Sequence, residues 1–199
     1  MNVEGFITAG GLSSRMGSDK ALLEIGGRAM IEHIIAALLP VTAKVSIIAN
    51  NPEYSRLGLP IFADSVTGIG PLEAIRTSLV NAQAPRVALV GCDLPFVTSD
   101  LFSYLLDLKG NYQAVVPVGR DEKLEPLCAI YSVDALERVA DLINRGERKV
   151  SKLFDLVPTR LVSFDELRFL QGSELFFENV NTPEDYARAC KVINQPGVV

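Results

Sequence analysis

"ITAGGLSSRMGSDKALLEIGG", residues 7–27, is a short apolar run that stops at two glycines and then carries hydroxyls, cations and a third glycine. An ordinary surface loop needs a turn residue or two. Gly10 and Gly11 lack a Cβ, so the chain can turn sharply there and its amides can approach a ligand closely. Successive N–H groups in such a turn form a concavity for anions. Arg15 can grip phosphate oxygens at two points, and Lys20 adds a mobile point charge. The stretch matches neither GxxxxGK[ST] nor GxGxxG, so neither the P-loop nor the dinucleotide-binding reading applies. A Gly-rich turn with solvated charges is the plain alternative. Arg15, Gly17 and Lys20 together favour a polyphosphate cradle.

Working outward, apolar runs at 6–9, 45–49, 87–90 and 114–118 read as buried strands. Helical spacing recurs between them. Ile31, Ile34, Ile35, Leu38 and Leu39 form one stripe, Leu72, Ile75 and Leu79 a second, and Leu136, Val139, Ala140 and Ile143 a third. Thr182 and Pro183 suit the N-cap and first position of a further helix. Residues 121–132 read as an insertion ending in another strand. Strands without strict alternation, separated by helices, predict an α/β fold: a mostly parallel sheet with helices on both faces. A chain of 199 residues is expected to form one domain, residues 1–199.

Composition excludes several classes. The net charge of -5 argues against broad nucleic-acid binding but not against a local pocket for one polyphosphate. The three cysteines, Cys92, Cys128 and Cys190, are far apart and suggest neither a zinc site nor a disulfide framework, which fits a reducing cytoplasm. No secretory leader or membrane-length apolar stretch is read, so no membrane association is expected.

Ligands of such sheets sit beyond the carboxyl ends of the strands. "VALVGCDLPFV", residues 87–97, ends its apolar run in Asp93, and Pro95 prevents the strand continuing. A carboxylate there suits Mg²⁺, which takes few protein ligands and shares phosphate oxygens; a turn cap is the alternative. Cys92 reads as packing. In "IIANNPEY", residues 47–54, Asn50 can read a purine edge or simply tolerate a left-handed turn before Pro52. Asp64, in "FADSVTGIGPLEA" (residues 62–74), reads as a ligand contact or a cap. Gly68, Gly70 and Pro71 form a rigid turn into a helix, with or without close approach to a ligand. Asn179 and Asn181 flank Val180, so extended alternation puts both on one face. His33, the single histidine, reads as a packed or solvated helix residue. Glu147, Arg148 and Lys149 read as a solvated cluster whose cations could attract an anion.

"AGGLSSRMGSDK", residues 9–20, resembles the AGGxSxRMGxDK signature of the molybdenum cofactor guanylyltransferases. The resemblance continues through "GPL" (70–72), "VGCDLPFV" (90–97) and "FENVNTPEDYARA" (177–189) in the family's order. It implies a Rossmann-like nucleotidyltransferase that moves GMP from GTP to molybdopterin and releases pyrophosphate. It also implies Mg²⁺ on Asp93. Arg15, Lys20 and Asp93 take the catalytic positions, and Thr8, Ala9, Gly10, Gly11, Lys20, Asn50, Asp64 and Asp93 the nucleotide-binding ones. Gly70, Pro71, Asn179 and Asn181 fall to the second substrate. Contact with other molybdenum cofactor assembly proteins is a further implication. Molybdopterin cytidylyltransferases tend to read AAG where this chain has Ala9-Gly10-Gly11, which favours guanine. A sugar-phosphate nucleotidyltransferase and a non-catalytic GTP-binding module are the remaining alternatives.

Overall fold

Phe6 and Ile7 are adjacent, both fully buried, and belong to different halves of the core. That arrangement requires a strand covered on both faces. The computed structural model describes residues 2–9, 19–63 and 70–193. Gly10, Gly11, Arg15, Gly17, Asp64 and Gly68 lie outside the described residues.

In chain order, β1 (Val3–Thr8) is followed by the small antiparallel hairpin β2 (Glu24–Ile25) and β3 (Arg28–Ala29). Helix α1 (Met30–Leu38), β4 (Val45–Ile48), β5 (Ile61–Phe62) and α2 (Pro71–Asn81) come next. They lead to β6 (Arg86–Gly91), α3 (Ser99–Asp107), β7 (Ala114–Pro117) and β8 (Cys128–Ser132). Helices α4 (Leu136–Asn144) and α5 (Ser151–Leu156), β9 (Thr159–Val162), α6 (Phe164–Leu167) and α7 (Pro183–Ile193) complete the order.

The main sheet has seven strands in the order β5-β4-β1-β6-β8-β7-β9. Only β8 runs against its neighbours. Helices α1 and α3 cover one face, where Ile31, Ile34, Phe102 and Leu105 meet Ile7, Ile47 and Val90. Helices α2, α4 and α5 cover the other, where Leu72, Ile75, Val139 and Leu153 meet Phe6, Ile48 and Leu89. The predicted mostly parallel sheet with helices on both faces is the fold observed. The predicted α1 stripe runs one residue too far: Leu39 follows the helix and is 55% exposed. The insertion reading of 121–132 holds, since it ends in β8. The short strand β9 carries no apolar run and went unread.

A third cluster joins the hairpin to the C-terminal helix. Ile25, Met30, Phe96, Val180 and Ala189 are all buried together. Helix α7 begins as expected: the Asp185 amide donates to Thr182 Oγ1 (3.1 Å), and Asp185 Oδ2 accepts from the Asn181 and Thr182 amides (3.1 and 2.9 Å). Tyr186 donates its hydroxyl to the Glu24 carbonyl at 2.7 Å. Among the described residues, no helix is long and apolar enough to cross a membrane.

Gly26 sits under α7 with a φ of +58°, and a Cβ there would lie 3.0 Å from Ile193 Cγ1. Alanine at this position meets backbone strain and a steric conflict together. Gly26→Ala is expected to cost about 1–3 kcal/mol of unfolding free energy. Chemical denaturation checks this, with no loss as the contrary result.

Candidate active site

The parallel strands all end on one edge of the sheet, and β1 and β6 lie side by side in its middle. The chain leaves β1 towards β4 and β5 on one side and later returns to β6 on the other. This is the switch point where open α/β sheets bind ligands. Four residues converge there.

Asp93 follows β6 in a tight turn, with the Leu94 amide donating to the Gly91 carbonyl at 3.3 Å. Its carboxylate folds back over Gly91. A Cβ built on Gly91 would stand only 2.6 Å from Asp93 Oδ1, closer than Cβ atoms approach anything. Glycine is needed here for space. Lys20 opens a 3₁₀ turn (Lys20–Leu22) and reaches across, its Nζ 3.3 Å from Asp93 Oδ2. The same ammonium donates to Asn181 Oδ1 at 2.7 Å. Val180, beside Asn181, is tied down by its amide, which donates to the Asp93 carbonyl at 2.9 Å. One cation thus bridges segments 161 residues apart in sequence.

Asp19 aims Lys20. Asp19 Oδ1 accepts from the buried Tyr54 hydroxyl (2.8 Å) and from the Ala21 amide (3.2 Å), and Oδ2 accepts from Asn51 Nδ2 (2.8 Å). The exit of the Gly-rich loop is therefore fastened to the segment after β4. Burial and the Asp19 carboxylate push the Tyr54 hydroxyl above the usual phenol range, so it stays a donor.

The other expected residues fall into place unevenly. Thr8 and Ala9 are locked into the sheet: the Thr8 carbonyl accepts from the Cys92 amide, and the Ala9 amide donates to the Ile48 carbonyl. Asn50 lies exposed just after β4, and its neighbour Asn51 makes the contact to Asp19. Gly70 has a φ of +79° and nothing within 4 Å of a Cβ built on it, so its backbone angle calls for glycine. Pro71 then starts α2. Asn179 is exposed, its amide donating to the Phe177 carbonyl. His33 Nε2 pairs with the Ile25 carbonyl at 2.9 Å, a packed helix residue as read. Cys92 is buried, and desolvation pushes its thiol up to about 12. In the 147–149 cluster, Glu147 Oε1 accepts from the Arg148 and Lys149 amides.

A cavity of about 290 Å³ opens beside this centre, lined in part by Gly119, Asp121, Glu125, Phe164, Phe177 and Asn179. Arg120 spans its wall, stacked over the Phe164 ring at 4.7 Å and ion-paired with Glu174. Desolvation pushes the Glu125 carboxyl up to about 7, helped by the negative charges of Asp121 and Asp93. Sequence reading missed Gly91, Asp19, Tyr54 and Glu125. Glu125 falls inside the stretch 121–132 read only as an insertion.

Residues 5–161 match the MobA-like NTP transferase domain. The chain belongs to this family. Relatives extend the likeness over nearly the full length. A protein of Pelotomaculum thermopropionicum named "Probable molybdenum cofactor guanylyltransferase" is 37% identical, covering 95% of this chain and 92% of the relative. A "Molybdenum cofactor guanylyltransferase" of Yersinia pestis is 33% identical, covering 92% and 93%. The solved structure of molybdopterin-guanine dinucleotide biosynthesis protein A from Archaeoglobus fulgidus has the same fold, with a TM-score of 0.81 at 22% identity over 96% of this chain and 98% of that one. The MobA-like match agrees with the NTP-transferase chemistry expected from residues 9–20, and it covers both Lys20 and Asp93.

Two predictions arise from this geometry. Gly91→Ala displaces the Asp93 carboxylate, the end of a side chain that can swing aside. The variant is therefore expected to melt close to the wild type while losing most nucleotidyl-transfer activity; full activity would refute the spatial role of Gly91. For Glu125 the folded pKa lies above the unfolded value of 4.5. Its cost to stability is absent below about pH 4.5, grows as the unfolded form ionises first, and is complete above about pH 7. Glu125→Gln removes that cost, so its stability relative to wild type rises across this window in denaturation curves.

Proposed function

We propose that this chain transfers GMP from GTP to molybdopterin, forming the guanine dinucleotide cofactor and releasing pyrophosphate. The observation that carries the reading is Lys20 held between Asp93 and Asn181 at the switch point of the sheet. The names of the relatives supply the substrates.

The attacking group in this reaction is the terminal phosphate of molybdopterin, already anionic at neutral pH. No general base is required, in keeping with a helix-bound His33 and the buried thiol of Cys92. The barrier comes from bringing two anions together and from charge developing on the leaving pyrophosphate. Positioning and electrostatics must lower it. Lys20 places a fixed ammonium where that charge builds, and its pairing with Asn181 keeps it extended rather than solvated. Arg15 and the amides of Gly10 and Gly11 serve the remaining phosphate oxygens in this proposal. Asn50 and Asp64 belong to the nucleotide side, and Gly70, Pro71, Asn179 and Asn181 to the acceptor side.

Asp93 is the residue that would hold Mg²⁺. Its Oδ1 rests in a hollow that a Cβ on Gly91 would fill, and among the described residues no third His, Cys, Asp or Glu completes a protein-only cage. One carboxylate plus substrate phosphate oxygens is the donor set magnesium favours. Such an ion, when bound, supplies Lewis-acid polarisation of the α-phosphate. A cytoplasmic setting and encounters with other cofactor-assembly proteins belong to the same proposal.

The test is pyrophosphate release with GTP, CTP, ATP and UTP, each with and without molybdopterin. GTP with molybdopterin is the pair expected to turn over; release only with CTP would transfer the assignment to a cytidylyltransferase. Within that assay, Lys20→Ala should lower kcat by roughly 10²–10³ while GTP KM moves far less, since one transition-state donor is worth that much. A pure KM effect would make Lys20 a binding residue only. Asp93→Asn should retain the fold and lose most Mg²⁺-dependent turnover.

A further inference from the structure

Glu125 is the one residue of the cavity beside Asp93 whose carboxylate is both half-buried and, among the described residues, accepts no hydrogen bond. Its backbone is fully engaged: the amide donates to the Pro117 carbonyl and the carbonyl accepts from the Cys128 amide. The side chain is thus held in place by a fixed main chain. Gly119 leaves it room, for a Cβ there would stand 3.3 Å from Glu125 Oε1. Half-burying an ionisable oxygen pair without donors costs hydration, and most buried polar groups find partners. Among the described residues none supplies a donor to it, and a ligand in the cavity can.

We propose that Glu125 binds the 2-amino-4-oxopyrimidine edge of a pterin, its two oxygens accepting from the adjacent ring N–H and exocyclic amine of the acceptor. This rests on the reading of the reaction given above. A planar edge with two parallel donors matches a carboxylate as a guanidinium does. The rest of the cavity suits the same guest. Phe164 and Phe177 give it apolar wall for a flat bicyclic ring, and Asn179 in its lining is two residues from Asn181, the partner of Lys20.

Guanine carries the same donor edge, so the donor nucleotide is a second source of this chemistry. The topology assigns Glu125 to the acceptor. The Gly-rich loop and the Asn50 segment follow β1 and β4, on one side of the switch point. Glu125 enters β8, Gly119 leaves β7 and Phe164 follows β9, all on the other side. A nucleotide whose phosphates lie at Lys20 and whose base lies over β4 extends away from the strands that carry Glu125.

The experiment is steady-state kinetics of the wild type, Glu125→Gln and Glu125→Asp with GTP and molybdopterin varied separately, together with equilibrium binding of GTP alone and a melting curve for each protein. Gln keeps the shape but replaces one acceptor by a donor facing donors. Charge-assisted bonds of this kind are worth about 1.5–3 kcal/mol, roughly ten-fold to a hundred-fold in affinity. Glu125→Gln is therefore expected to raise molybdopterin KM at least ten-fold, with GTP KM and GTP Kd within two-fold of wild type. Glu125→Asp, which keeps the charge but shortens the reach, should fall between. Unchanged molybdopterin KM in folded variants overturns the assignment while leaving the reaction intact. A rise in GTP Kd instead overturns it in favour of guanine recognition. Absence of wild-type turnover with GTP and molybdopterin overturns the reaction and this assignment together.

Discussion

The ion pair between Lys20 and Asp93 is the joint on which the carboxyl edge of the sheet is assembled. The two side chains are only 16% and 24% exposed, so each would pay for lost hydration without the other. Pairing across 3.3 Å, with Asn181 taking a second ammonium hydrogen, offsets that cost. Removing either partner leaves a partly buried charge alone. Three segments far apart in the chain are therefore bound to one another at the carboxyl edge of the sheet.

Asp19 supports this joint from behind. It answers the Tyr54 hydroxyl, the Asn51 amide and its own turn with two oxygens. The segment after β4 is consequently fastened to the turn that opens at Asp19. A lysine on a flexible four-carbon stem needs such a base if it is to present a fixed charge. Asp185 plays a comparable part on the opposite flank, where its carboxylate stops the chain at Asn181 and starts α7.

Much of this was legible in the sequence because local chemistry produced it. An apolar run that ends in an acid two residues before proline can hardly place Asp93 anywhere but a strand end. Phe6 and Ile7 side by side announce a strand with two covered faces, and Thr182-Pro183 announces a helix start. The unread parts depend on contacts across long sequence separations. Gly91 looks like one more strand residue until the Asp93 carboxylate is seen lying over it. Tyr54 looks like core, which it is, and only the partner of its hydroxyl, 35 residues away, gives it a second role. Glu125 sits in a polar stretch with no periodicity, so only the cavity distinguishes it from its solvated neighbours. Strand β9, partly exposed at the sheet's edge, lacks the apolar signal that marks the central strands.

The reversed strand β8 has a geometric consequence. In an all-parallel sheet each strand offers one loop to the ligand edge, the one at its carboxyl end. Strand β8 runs the other way, so the segment that enters it arrives at that same edge, next to the loop leaving β7. Residues 118–127 thus form a hairpin arm over the crevice, closed at its base by the Val118–Leu124 bridge. The crevice has two differently built halves, joined where the Gly91 amide donates to the Leu127 carbonyl at 2.7 Å. One is built from loops fastened through Asp19, the other from an arm anchored on β7 and β8. The arm thereby adds to that edge a wall carrying Gly119, Asp121 and Glu125.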